Sequence, residues 1–260
     1  MSTQPPSRRS LLIGGAATFS TLMLAGCDRL SASPKFIDFL GDAEGLNMRT
    51  QRFLLSGGQL AREFRPEQMS PVFRANGSSD ANDNPQYLTL LEKGFADYRL
   101  TLDGMVARPM SLSLDELKAL PQRTQITRHD CVEGWSAIGQ WKGVPLSVIL
   151  KAAGLAPSAR FVVFHCFDDP EQRGDLTKRY YESVDLVDAF HPQTILAHEM
   201  NGKPLEVAHG APVRMRIERQ LGYKHAKFVS RIEVTDSLAR FGKGKGGFWE
   251  DYGYNWYAGI

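Results

Sequence analysis

The sequence predicts a domain of mixed strands and short helices, and three kinds of local pattern carry that expectation. Short runs of strand length recur along the chain, most clearly Tyr98–Leu102 with its alternating apolar residues and the apolar run Arg160–Phe167. Short helices stand between them: Ser113-Leu114-Asp115-Glu116 is a capping box opening a helix that stops before Pro121, and Pro145–Ala153 reads as a helix closed by Gly154. Polar stretches rich in Pro, Asn, Asp and Ser separate these elements. The composition is ordinary for a globular protein, with 260 residues, 42% hydrophobic and 23% charged, which is enough for one substantial core with extensions. Net charge is +2 and no long Lys or Arg block is present, so composition gives no support for a nucleic-acid partner.

Taken in order, residues 1–27 read as an export signal. Ser7-Arg8-Arg9-Ser10-Leu11-Leu12 is a twin-arginine pattern, followed by an uncharged run too short and too weakly apolar to be read as a membrane span. Leu24-Ala25-Gly26-Cys27 resembles a lipobox, which implies a lipidated Cys27 and a lipid-anchored periplasmic protein; ordinary cleavage near Ala25 is the alternative. Asp28 next to it resembles an inner-membrane retention signal. Residues 28–69 form an N-terminal extension, with helical spacing over 34–64 (Phe36, Phe39, Leu40, Leu46, Phe53, Leu54, Leu55). The segment 65–86 reads as loop.

The functional stretch is 128–146, RHDCVEGWSAIGQWKGVPL. The segment 122–128 reads as a short strand that delivers Cys131 to a loop, and Lys142-Gly143 reads as a turn before the helix begun by Pro145. With Arg128, His129 and Lys142 near it in sequence, Cys131 is expected as a thiolate, the form that acts as nucleophile or soft metal ligand. The chain has three cysteines, Cys27, Cys131 and Cys166, so no disulfide framework is expected.

Cys-Val-Glu-Gly-Trp-Ser at 131–136, with Trp-x-Gly-Val-Pro-Leu beginning ten residues after the cysteine, resembles the molybdopterin domain of the sulfite oxidase superfamily, nearest to the periplasmic methionine sulfoxide reductase branch. A second block, 202–235, resembles the family's pterin-binding pattern through His209-Gly210-Ala211-Pro212-Val213-Arg214 and Gly222-x-x-x-x-Lys227. The resemblance implies an α+β fold, a sulfite-oxidase-type molybdopterin-binding domain of mixed β-sheets and short helices, over 70–236. It implies Cys131 as thiolate ligand to molybdenum and a molybdenum–molybdopterin cofactor (Mo-MPT) in its simple form. A buried terminal phosphate needs fixed positive charge, which Arg214 offers as a fork and Lys227 as a point charge, with Lys224, His209 and His225 beside them.

Asn76, in Phe73-Arg74-Ala75-Asn76-Gly77, resembles the family's pterin-contacting asparagine; turn asparagines also arise for backbone reasons alone. Cys166 stands where the reductase branch carries a threonine near the metal, and packing beside the site is its default reading. Residues 168–179 form a charged loop expected to overhang the entrance. Residues 237–260, with six aromatic residues between Phe248 and Tyr257, read as a tail that packs on its own domain; walling the substrate entrance or docking a partner is the alternative.

The resemblance implies an exported oxidoreductase acting by oxygen-atom transfer. Sulfite oxidases carry arginines just after the cysteine; Val132-Glu133-Gly134-Trp135 stands there instead, which favours an uncharged S-oxide or N-oxide, with Trp135 as an apolar wall. A membrane b-type cytochrome is the expected electron donor, and a monomer the expected state. The rival expectations are a sulfite dehydrogenase on the same fold and a metal-free binding lipoprotein.

Overall fold

The computed structural model describes residues 33–260, apart from 56–57 and 172–177, and omits the side chains of 37–40. The twin-arginine pattern, the lipobox and Cys27 lie outside the described residues. The chain divides at Thr50/Gln51 into two units. What is described of the first belongs to helix α1, Pro34–Leu55. The helical spacing expected over 34–64 therefore ends nine residues early, and 58–64 is irregular chain.

Among the described residues of the second unit, two five-stranded sheets enclose the core. The first has the order β2-β1-β10-β5-β6. Its strands are β1 (Arg99–Gly104), β2 (Met110–Ser113), β5 (Phe161–Cys166), β6 (Tyr181–Asp185) and β10 (Val229–Thr235). The only parallel pair among these is β1 with β10, which brings the chain's early and late parts side by side. The second sheet is β3 (Arg123–Asp130), β4 (Ser136–Pro145), β7 (Thr194–Met200) and the short β8 (Lys203–Pro204), with β9 (Arg214–Ile217) also paired to β7. The arrangement is the expected α+β one, of mixed sheets and short helices.

Local chemistry explains the helices. Asn84 caps α2 (Pro85–Glu92), its side chain accepting from the amides of Gln86 and Tyr87, and Pro85 occupies the first helical position. This helix begins inside the stretch read as loop. The capping box opens α3 (Leu114–Ala119) as expected: the Ser113 hydroxyl accepts from the Glu116 amide at 3.1 Å, and the Glu116 carboxylate accepts from the Ser113 amide at 2.7 Å. Helix α4 (Leu146–Ala153) ends at Gly154, whose φ of +69° suits glycine, and the single turn α5 (Leu186–Ala189) is capped by Asp185.

Lys142-Gly143 is not a turn; both residues lie inside β4. The register against β7 shifts between them, and a Cβ on Gly143 would stand 2.1 Å from the Leu196 carbonyl oxygen. Glycine here permits the close approach of two strands at a bulge rather than a chain reversal.

The main core packs Tyr98, Leu100, Ile149, Phe164, Phe228 and Ile232, all almost fully buried. A smaller cluster around Trp141, Ile195 and Met200 lies beneath the second sheet and touches Phe73. Residues 51–69 are joined to that sheet: the amide of Phe64 donates to the Ile126 carbonyl at 2.8 Å, and Gln193 bonds to both the amide and the carbonyl of Ala61.

Candidate active site

Strand β3 alternates, so Gln125, Thr127 and His129 point inward and Asp130 reaches the sheet rim. The chain then turns through 131–135 into β4. The Gly134 amide donates to the Cys131 carbonyl at 3.0 Å, the Cys131 amide donates to the Trp135 carbonyl at 2.9 Å, and Gly134 takes φ +85°. This five-residue loop presents the Cys131 side chain to a cavity of about 140 Å³.

The residues expected to make the thiol a thiolate do not face it. Arg128 pairs with Asp130 at 2.8 Å, Lys142 pairs with Glu199 at 3.1 Å on the far part of the strand, and His129 is buried on the inner face. Burial pushes the Cys131 thiol up from its ordinary value; hydrogen bonds from the Glu133 and Val132 amides and the charge of Arg74 oppose this. The thiolate form therefore calls for a further positive charge, as a bound metal supplies.

Asn76, Cys131 and Lys227, distant in sequence, line this one cavity together with Glu133, Asp168 and Tyr180. Lys227 is 5% exposed and donates from Nζ to the carbonyls of Ala208 (2.9 Å) and Ser78. Burial pulls its pKa down, helped by the nearby Arg214, while Asp168 restrains the fall. Burial pushes the Asp168 carboxyl up, with Lys227 restraining that rise.

The remaining expected residues are placed as follows. His209 lines not the Cys131 cavity but a second hollow of about 290 Å³, with Phe73, Met200 and Glu206. Arg214, fully buried on β9, stands behind it, donating to the carbonyls of His209 (3.0 Å) and His225 (3.4 Å). Burial and the neighbouring Arg216 lower the Arg214 guanidinium to about 9. Trp135 lies beside the cavity, its indole N–H donating to Glu133 at 3.0 Å. Cys166 is buried in the main core on β5, outside the lining of the Cys131 cavity, and burial raises its thiol far above the ordinary value. Lys224 is turned away into an ion-paired site, with Nζ 2.6 Å from Glu182 and 2.5 Å from Glu250.

The structure adds three supports: Arg216, which no motif marks, and Phe73 and Gly222, which the motifs contain without a role of their own. Arg216 lies two residues after Arg214 on the same strand and is equally buried; it donates to Nδ1 of His129 at 2.9 Å and forks onto Glu218. Both guanidiniums stack on Trp141, at 5.0 Å and 4.4 Å. The alternation in Arg-Met-Arg was the available signal. Phe73 meets Trp141, His209, His129 and Trp135 with its ring, at 5.3 to 6.4 Å between centroids. Gly222 packs on His129, where a Cβ would fall 2.5 Å from Nε2.

Among the described residues, several buried polar atoms around this floor have no partner: Asn76 Oδ1, Asp168 Oδ1, His129 Nε2, His209 Nδ1, His225 Nδ1 and Arg214 Nε. Buried polar atoms are ordinarily satisfied, and three buried cations, Arg214, Arg216 and Lys227, stand here against the carboxylates of Glu218 and Asp168. Donors, acceptors and excess positive charge in one place suit a polar, anionic ligand, and Cys131 adds a soft ligand for a metal. Asn76, His209, His225, Arg214 and Lys227 could meet such a ligand, and Cys131 could take a soft metal.

The family model described as the oxidoreductase molybdopterin-binding domain matches residues 88–240. An Azospira oryzae protein, provisionally named a protein-methionine-sulfoxide reductase subunit, is 35% identical over 98% of this chain and 88% of its own length. The protein-methionine-sulfoxide reductase catalytic subunits of Xanthomonas axonopodis and Xanthomonas campestris are each 35% identical over 54% of this chain, a match that spans 46% of their own length. Among solved structures, the sulfane dehydrogenase SoxCD of Paracoccus pantotrophus matches at TM-score 0.49 and 24% identity, covering 55% of this chain and 39% of that one.

Proposed function

The chain belongs to the oxidoreductase molybdopterin-binding domain family and is an oxidoreductase, and from that premise we propose that it reduces an uncharged S-oxide, methionine sulfoxide being the leading example. The observation that carries the choice of substrate is Glu133. Glu133 lines the same cavity as Cys131, two residues away, and its carboxylate accepts from the Trp135 N–H. Among the described residues that line this cavity there is no arginine, and Arg74, whose charge reaches Cys131, lies over the Trp135 ring at 5.5 Å outside that lining. A carboxylate at the mouth repels a sulfite dianion and leaves a neutral sulfoxide unopposed. The names of the relatives from Azospira and Xanthomonas support the same choice.

The cofactor of this reading is molybdenum–molybdopterin in its simple form, with Cys131 as the protein's ligand to the metal. Once bound, it supplies oxygen-atom transfer chemistry through changes in molybdenum oxidation state. The chain's own residues do the rest. Lys227 and Arg214 hold the anionic part, Asn76, His209 and His225 meet polar edges, and the Arg216–Glu218 pair fixes the His129 ring behind the cysteine loop. In overall balance the sulfur–oxygen bond breaks, the sulfur is reduced by two electrons, and the oxygen leaves as water after gaining two protons.

A membrane b-type cytochrome is the electron donor of this reading. No helix among the described residues is long and apolar enough to cross a membrane. Export by the twin-arginine route and a lipid on Cys27 would keep the periplasmic enzyme beside its donor and raise the effective concentration. The molybdopterin domain proper is taken as 70–236, with 28–69 preceding it and 237–260 as its aromatic tail.

The test is a paired assay on the purified, exported protein. Methionine sulfoxide with reduced benzyl viologen is expected to turn over, while sulfite with ferricyanide is not. Turnover confined to sulfite would overturn the assignment in favour of the sulfite dehydrogenase reading.

A further inference from the structure

The cavity that receives Cys131 has a wall contributed from the far end of the chain. Trp249 and Tyr254 line it although they lie well over a hundred residues downstream. Their rings stack at 5.5 Å and 27°, and Tyr254 meets Tyr223, another lining residue, edge-on at 5.2 Å. The backbone makes this possible by doubling back: the Tyr254 amide donates to the Trp249 carbonyl at 3.0 Å, and Gly253 between them takes φ +101°.

A buried charge cluster fixes that fold-back. Glu250, the residue after Trp249, is 3% exposed and accepts from Lys224 Nζ at 2.5 Å, while Lys224 also donates to Glu182 on β6 at 2.6 Å. The backbone is drawn in tightly beside it, since a Cβ on Gly247 would stand 2.0 Å from the Glu250 carboxylate and 2.5 Å from that of Glu182. Phe248 stacks on Tyr180, which also lines the cavity. Two carboxylates on one ammonium in a buried site is a costly arrangement, and its geometric result is to hold Trp249 at a set place on the cavity rim.

We propose that Trp249 and Tyr254 are the substrate-recognition wall of this enzyme, selecting sulfoxides that carry an apolar arm, and that the Glu182–Lys224–Glu250 cluster is the latch that positions it. This rests on the S-oxide reading above and adds where the carbon part of the substrate goes. Glu133 excludes anions on one side of the cavity; the stacked rings offer an apolar face for an aryl or alkyl group, and soft sulfur sits well against aromatic rings.

The experiment uses the full-length protein loaded with its cofactor, reduced benzyl viologen as donor, and two substrates, methyl p-tolyl sulfoxide and dimethyl sulfoxide. In Trp249→Ala the ratio of kcat/KM for the aryl over the small sulfoxide falls about tenfold, with the loss in KM. Glu250→Gln lowers the same ratio by a smaller factor through KM and shifts tryptophan emission to the red. Tyr254→Leu, at a rim position 40% exposed, lowers the ratio without depending on the buried part of the wall. An equal loss on both substrates, or a ratio that does not move in Trp249→Ala and Tyr254→Leu, overturns the proposal.

Methyl p-tolyl sulfide titrated into the resting protein gives a second readout: it quenches tryptophan emission in the wild type, and the quench is lost in Trp249→Ala. If the wild type reduces neither sulfoxide, the S-oxide reading fails, and the wall is then judged on quenching alone. Quenching that persists in Trp249→Ala overturns it.

Discussion

Two lysines three residues apart, Lys224 and Lys227, are both buried and have opposite electrostatic surroundings. Lys224 sits between two carboxylates at 2.5 and 2.6 Å, and its pKa is raised despite full burial. Lys227 donates to two backbone carbonyls, lies near Arg214, and its pKa is pulled down. A buried charge is tolerated when it is paired; among the described residues Lys227 has no ion-pair contact, only the field of Asp168 and Asp80, so a ligand is the natural reason for it. Lys224 is compensated by the fold itself and belongs to its architecture. Lys227 stands with orphaned polar atoms on Asn76, Asp168, His209 and His225, surroundings that suit the anionic ligand proposed above.

The strongest test of this division acts at the cysteine loop. Replacing Cys131 by Ser is expected to lower sulfoxide reduction by more than about a hundredfold, since even residues behind a metal ligand cost roughly 10–100-fold. The molybdenum electronic spectrum should change while the far-ultraviolet circular dichroism does not. A spectrum identical to wild type would remove Cys131 from the metal.

Lys224→Met should be mainly a stability variant. It leaves Glu182 and Glu250 facing each other without their cation, and the expected cost is about 3–5 kcal/mol in denaturant unfolding. Lys227→Met should behave in the opposite way, with stability of the metal-free protein within about 1 kcal/mol of wild type and cofactor affinity down roughly 10–100-fold. If the two variants lose stability equally, the contrast between the two lysines is wrong. The smallest effect concerns the floor: Gly222→Ala would press a methyl group onto His129 and should cost about 1–3 kcal/mol, measured as a shift in the denaturant midpoint at unchanged slope.

The same contrast shows how far the sequence could be read. The Cys131 loop, the capping box at Ser113, the strand at 161–166 and the helix closed by Gly154 were legible because each is a local pattern. The motif singles out Lys227, but the ion-paired role of Lys224 is not legible, because its partners lie 42 and 26 residues away and are brought to it by tertiary structure. Helix α2 was lost inside a polar stretch, although Asn84-Pro85 is a cap followed by a first-turn proline. Gly143 was read as a turn because Lys-Gly is locally ambiguous, and only the approach of Leu196 explains it. Arg216 carries no motif of its own; only its place two residues from Arg214, on the same strand face, marks it in the sequence.

The central claim is that the cavity at Cys131 and its cation-rich floor hold molybdenum–molybdopterin. The most direct measurement is molybdenum per protein in the exported, purified chain from a host that makes the cofactor, for wild type, Lys224→Met and Lys227→Met side by side. The account predicts near-stoichiometric metal in wild type, metal retained in the folded fraction of Lys224→Met, and depletion in Lys227→Met. Folded wild-type protein that repeatedly lacks molybdenum would contradict it.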